Sequence, residues 1–239
     1  MYEKDVYKLR QQKFAPLKFT IHQYPNAIGL WKNEQESLLW LALNANPNCD
    51  FMEIGSFCGG SAALLCIGKE FHNTDTKVYS VDRNFILEHR RDLIAYDMFV
   101  KNMQQFPKTS IAIACESNDL KNHQPKNPIS FAFIDGWHSF KGALLDFQTV
   151  LPWLSDDAYV AFHDTAQQPY TKEQLDAHYI KALNNHDEWM KEQLPSWDEQ
   201  TYNLDELIAY ITHNYNFEYI PNPMLDGTKN CLAAIRRIK

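Results

Sequence analysis

Apolar residues fall along the chain in short, nearly unbroken runs that close on a polar or acidic residue and alternate with stretches of helical spacing. The first run, Phe51-Met52-Glu53-Ile54, breaks at Gly55 into Ser56-Phe57-Cys58-Gly59-Gly60-Ser61. It reads as a strand, a glycine-rich turn and a helix over 62–69 that Ser61 caps. Gly55 and Gly59 allow positive φ and close backbone approach, so a ligand can lie directly on this turn. Further runs follow at 77–82, ending in Asp82, and at 110–115, leading into Glu116-Ser117-Asn118-Asp119. A fourth run, 129–135, ends in Asp135 before Gly136-Trp137-His138, and a fifth, 158–162, ends in His163-Asp164-Thr165. Between them, 33–46, 85–105 and 140–151 have helical spacing, and Asn33 with Glu36 has the spacing of a capping box. Strands alternating with helices predict an open α/β sheet, and such sheets bind ligands at the edge where these polar strand ends gather.

The flanks are less regular. Residues 1–32 read as an N-terminal arm packed on the domain or on a partner, and 33–239 as a single domain. Residues 166–215 are polar and aromatic, helical at 172–185 and 204–213, with Leu194-Pro195-Ser196-Trp197 between. A segment of this length after the fifth strand is the natural place for a substrate-covering insertion. Residues 216–220 and 230–236 read as two closing strands joined by a Pro/Gly turn region at 221–227.

Composition narrows the partners. A chain of 239 residues, 45% hydrophobic, can bury one large core, and a net charge of -7 gives no basic field to hold nucleic acid. The five cysteines are scattered without a C-x-x-C pair, as in a reduced cytoplasmic protein. No stretch approaches the roughly 20 apolar residues that span a bilayer. The charged start, Met1 to Arg10, has no leader pattern, so the expectation is a soluble, unprocessed, cytoplasmic chain. A homodimer through the aromatic arm is a further expectation.

The strand ends supply candidate chemistry, each with a plainer rival. Asp82, beside the glycine turn in a parallel sheet, can accept hydrogen bonds from both hydroxyls of a ribose, or simply cap the next helix. The loop 116–119 lies where an adenine would be hydrogen-bonded, or is a turn and helix cap. Ends of neighbouring strands lie about 5 Å apart, so Asp135 and Asp164 can share a cation or touch substrate, or else cap loops or pair with Lys or Arg. His138 can take a proton with an ordinary pKa near 6.5, or pack beside Trp137. His163 precedes Asp164 on a strand of alternating faces and is expected to point away from it in a structural role. Trp137, Phe140 and Trp153 read as packing. The turn lacks the G-x-G-x-x-G of pyrophosphate sites, which disfavours a nicotinamide dehydrogenase.

The spacing Glu53-x-Gly55-x-x-x-Gly59 resembles motif I of the class I S-adenosylmethionine-dependent methyltransferases. The run from Phe133 to Phe140, with Asp146 and then Tyr159 to Thr165, resembles a bacterial group related to the catechol and macrolide-sugar O-methyltransferases. The resemblance covers about 35–165 and, loosely, the last strand pair. It implies a Rossmann-like seven-stranded, mostly parallel sheet with helices on both faces and an antiparallel last strand. It implies S-adenosylmethionine as cofactor, with Glu53, Gly55 and Ser61 near its amino-acid end, Asp82 on the ribose, Ser117 and Asn118 near the adenine, and Asp135 among the residues that contact the cofactor. In metal-dependent relatives the positions of Asp135, Asp164 and Thr165 bind a divalent cation such as Mg²⁺, and His138, with Asp135, is the catalytic base position. Thr165 stands where catechol-type enzymes carry an amide, and Ser155-Asp156-Asp157 replaces a glycine-containing turn. The expected function is methylation of a small-molecule hydroxyl, on a sugar or secondary metabolite. The alternatives are a metal-independent O- or N-methyltransferase and a non-catalytic cofactor-binding scaffold.

Overall fold

A strand with no polar face has no side to give to water, so the central apolar runs pair with their neighbours and bury both faces under helices. The computed structural model describes residues 2–17, 30–85, 90–165, 170–192, 203–221, 224 and 232–239. Its strands are β1 (Asp50–Ile54), β2 (Val78–Val81), β3 (Ser110–Ile113), β4 (Ile129–Ile134), β5 (Leu154–His163), β6 (Phe217–Ile220) and β7 (Leu232–Arg237). They form one seven-stranded sheet in the order β3-β2-β1-β4-β5-β7-β6. The first five pair in parallel, and β7 lies antiparallel between β5 and β6. This is the Rossmann-like sheet expected from the resemblance, and its strand order reverses direction between β1 and β4, which opens a crevice above their carboxyl ends.

The period-two alternation of each strand divides the core. Phe51, Phe131 and Phe133 point to one face, under α1 (Glu3–Leu9), α2 (Lys32–Asn44), α3 (Gly60–Phe71) and α4 (Arg90–Met103). Met52, Ala132 and Ile134 point to the other, under α5 (Phe140–Val150), α6 (Lys172–Glu192) and α7 (Leu204–Asn214). Phe131, Phe133, Phe147 and Phe162 are fully enclosed, each worth roughly 1.5–3 kcal/mol of transfer free energy. Buried Asp50 ties the strand starts together, its carboxylate accepting from the backbone N–H of Lys77 at 2.8 Å and of Asn127 at 3.0 Å. None of the described helices is long and apolar enough to cross a membrane.

Several local expectations are corrected. Helix α2 begins at Lys32, and the residue reaching back over its first turn is Glu34, which accepts from Trp31 N–H at 2.7 Å; Glu36 instead faces Arg10 and Lys32. Helix α3 starts at Gly60 behind an αL Gly59, so Ser61 sits inside the helix and does not cap it. Residues 155–158 of β5 lie opposite the single Ser130, because Ile129 pairs with Leu154 and Phe131 with Tyr159. Ser155-Asp156-Asp157 is thus part of a bulge in β5, where the sequence suggested a turn before it. The arm expected at 1–32 includes α1 and a π-helical turn, Arg10–Phe14, whose Val6 and Phe14 are buried against the α2 side of the core. Leu194-Pro195-Ser196-Trp197, Cys231 and most of the 221–227 turn lie outside the described residues.

Candidate active site

The site is built outward from Gly55. Its φ is +93°, and a Cβ placed there would lie 2.1 Å from the carbonyl oxygen of Asp135 and 2.8 Å from Gly136 N. Only glycine lets the ends of β1 and β4 approach so closely. The next residues are held in an uncommon conformation: Phe57 has φ 42°, and its N–H donates to Asp82 Oδ2 at 2.7 Å. Gly59, at φ +86°, turns the chain into α3. Asp82 therefore shapes the turn as well as facing whatever lies on it.

A cavity of about 530 Å³ opens over this turn. That volume is within the range of small-molecule and cofactor sites. Gly55, Asp82, Ser117, Asn118, Asp135, His138 and Asp164 line it, as the strand-end reading requires, and His163 and Asp146 line it as well. Glu53 and Ser61 stand behind the wall. The Glu53 carboxylate is fully buried, and its burial pushes the pKa up to about 7 against the opposing pull of the Ser61, Ser80 and Ser56 hydroxyls around it. None of those hydroxyls reaches hydrogen-bond geometry with it. Asp146, on α5, is also buried, and its burial pushes it up to about 6 against the opposing pull of the Ser117 hydroxyl and the Trp137 N–H. It lines the cavity beside the loops after β3 and β4. In the sequence it stood out only as part of the run that carries the resemblance.

The opposite wall is a cluster of alternating acids and imidazoles. His138 Nδ1 lies 2.5 Å from Asp164 Oδ2, and His138 Nε2 lies 3.2 Å from Asp135 Oδ1. His163 Nδ1 meets the same Asp135 Oδ1 at 3.0 Å and stands 3.5 Å from Asp164 Oδ1, while its Nε2 faces Glu34 Oε2 at 3.5 Å. The expectation that His163 points away from Asp164 is corrected, because Asp164 has φ 59° and the extended alternation stops there. Burial pulls both imidazoles toward the neutral form, but the carboxylates override it. His138 is raised to about 10 by Asp135 and Asp164, and His163 to about 11 by Asp135, Glu34 and Asp164. Asp164 is lowered, first by the hydrogen bond from His138. At neutral pH both rings are imidazolium ions. Sequence reasoning missed Glu34, which lies on α2 well before the first strand.

The fit to the implied groups differs. The glycine seat that a side chain would fill, the Asp82 carboxylate and the polar loop at Ser117 and Asn118 suit a nucleoside-type cofactor. The proposed cation ligands do not suit Mg²⁺, which requires near-octahedral oxygen donors. Asp135 Oδ1 and Asp164 Oδ2 are turned onto imidazole nitrogens, and Thr165 is buried outside the cavity lining. Among the described residues no three His, Cys, Asp or Glu side chains are disposed to hold a metal ion. The Asp135, Asp164 and Thr165 metal site is thus not supported.

Residues 52–165 match the family described as Methyltransferase domain. Solved structures share the fold at low identity. The O-methyltransferase TomG from Streptomyces achromogenes, in complex with SAM, superposes with a TM-score of 0.53 at 10% identity, over 99% of this chain and 89% of that one. The O-methyltransferase from Bacillus cereus, in complex with SAH, gives 0.53 at 12%, over 98% and 90%. The N-methyltransferase NodS from Bradyrhizobium japonicum gives 0.52 at 10%, over 90% and 99%. With the strand order, the glycine turn and the acid at the end of β2 in place, residues 52–165 match a methyltransferase domain carried on a Rossmann-like sheet.

Proposed function

We propose that the protein transfers the methyl group of S-adenosylmethionine to a hydroxyl of a small molecule, a sugar or secondary metabolite. The observation that carries this reading is the His138–Asp164 pair, 2.5 Å apart, in the wall of the cavity that opens over the glycine turn. Asp82 receives the ribose, Ser117 and Asn118 the adenine, and the Gly55 turn the amino-acid end. Bound there, S-adenosylmethionine supplies an electrophilic methyl group on a sulfonium.

The chain itself must orient the acceptor and remove its proton. A hydroxyl attacks poorly until that proton leaves, whereas a neutral amine already has its lone pair. A base in the wall therefore favours an oxygen acceptor over the nitrogen acceptor of an N-methyltransferase. His138 is the proposed base: Asp164 holds its Nδ1, and its Nε2, at 3.2 Å from Asp135 Oδ1, turns from that carboxylate to the acceptor to take the proton. Because those carboxylates raise it to about 10, the neutral ring is a minor form at pH 7 and grows about tenfold with each pH unit below that value. The donor set supports transfer without a metal. The net charge of -7 supports a neutral or cationic small acceptor over nucleic acid.

The test is incubation with methyl-labelled S-adenosylmethionine and a panel of sugars, phenols and amines, with EDTA in one arm and Mg²⁺ in another. Label in hydroxyl acceptors at equal rates in both arms is expected. Label confined to amines contradicts the acceptor class, and activity lost in EDTA contradicts the metal-free reading.

A further inference from the structure

Glu34 lies outside the stretch 52–165 that makes the methyltransferase domain recognisable, yet it is fully buried and aimed at the site. The first turn of α2 fixes it: Trp31 N–H donates to its Oε2 at 2.7 Å, and its own N–H donates to Asn33 Oδ1 at 3.1 Å. The N-terminal segment holds that turn in place. Arg10 Nε donates to Gln35 Oε1 at 3.2 Å, and Gln35 Nε2 donates to the Leu30 carbonyl at 3.0 Å. From there Glu34 Oε2 faces the buried His163 Nε2 at 3.5 Å, within ion-pair reach though outside hydrogen-bond geometry, and that nitrogen makes no hydrogen bond of its own among the described residues.

The order of charges makes this contact directional. From Glu34 the chain of contacts runs to His163, then to Asp135, then to His138 and to Asp164. Asp135 Oδ1 is shared by His163 Nδ1 and His138 Nε2, so the direction of its carboxylate depends on both rings. A half-turn of the His163 ring would exchange Nδ1 for a carbon and remove one of those two donors. The partner on a histidine's far nitrogen decides which way the ring faces, and a carboxylate is the usual choice.

We propose that Glu34 is a positioning residue of the methyl-transfer site, acting through His163 on Asp135 and His138. This rests on the function proposed above. It also makes the segment ahead of the first strand part of the active site, so that the site is incomplete in a fragment reduced to the recognisable domain.

The test is ring NMR on full-length protein labelled with ¹⁵N-histidine, with the His163 resonances assigned by their loss in His163→Gln. In Glu34→Gln the His163 ring nitrogens are expected to shift, and those of His138 to shift with them through Asp135. Resonances of both rings unchanged from wild type would overturn the proposal, since a residue that only stabilises the fold lowers the melting temperature without moving them. If Glu34→Gln does not fold, Glu34→Asp withdraws the carboxylate by one methylene and is read in the same way. S-adenosylhomocysteine affinity of the wild type, measured separately, tests the cofactor reading, so the two failures are distinguishable.

Discussion

Gly55→Ala tests how the site is assembled. The added Cβ meets backbone on the far side, 2.1 Å from Asp135 O and 2.4 Å from Asp135 C, and no side chain can swing away to relieve it. Reaching even 3.0 Å would need the end of β4 to move by about 0.9 Å, the difference between 3.0 and 2.1 Å, against the Asp135 N–H bond to Ile54 O at 2.8 Å. Holding a non-glycine residue at φ +93° adds roughly 1–3 kcal/mol of backbone strain, and overpacking adds roughly 1–3 kcal/mol. The expected destabilisation is about 2–6 kcal/mol, a large share of the roughly 5–15 kcal/mol available to a domain. Urea denaturation followed by tryptophan fluorescence measures it, and calorimetry with S-adenosylhomocysteine reports the displaced Asp135. Gly68→Ala is the control: its Cβ would press on Ala42 of α2, 2.6 Å from the Ala42 Cβ, so it is expected to stress α2 against α3 and spare the turn. A Gly55→Ala protein with the wild-type midpoint and wild-type affinity would refute the close approach of β1 and β4.

Three further outcomes follow from the same geometry. Asp82→Ala removes the carboxylate bonded to Phe57 N–H at 2.7 Å and the proposed ribose contact; hydrogen bonds to charged groups are worth roughly 1.5–3 kcal/mol, so calorimetry should show cofactor affinity about 10- to 150-fold weaker. The His138 ring should titrate near pH 10 by NMR, and methyl transfer should rise with pH below that point; a midpoint near the ordinary histidine value would contradict its placement between two carboxylates. Glu53, raised to about 7 from 4.5, contributes stability that is fully present below pH 4.5 and is lost as pH rises through 7. Glu53→Gln should accordingly raise the urea midpoint at pH 8 relative to wild type more than at pH 4, and an equal effect at both would remove burial as the cause.

The parts of the fold that were legible in the sequence are those where one physical requirement dominates. Runs such as Phe131 to Ile134 have no polar face, so a doubly covered strand is the only economical place for them, and an acid at the end of such a run must lie at the sheet edge. Asp82, Asp135 and Asp164 all reach the cavity for that reason. His163 was misplaced because the alternation argument assumed extended backbone through Asp164, whose φ of 59° ends it. Glu34 was invisible for a different reason. In α2 the polar Glu34, Gln35 and Glu36 are all buried, because the N-terminal segment folds back over them, and a pattern of hydrophobic positions cannot register a polar face that is covered from outside. Ser61 was read as a cap because the helix was taken to begin at Ala62, two residues too late, and its hydroxyl is instead among those around Glu53.

The central claim is that the cavity over Gly55 is a seat for S-adenosylmethionine. Calorimetric titration of the purified protein with S-adenosylmethionine and S-adenosylhomocysteine, with and without EDTA, tests it most directly. One site per chain for both ligands, indifferent to EDTA and weakened in Asp82→Ala, is the predicted result. No heat from either ligand under any of these conditions would contradict the account.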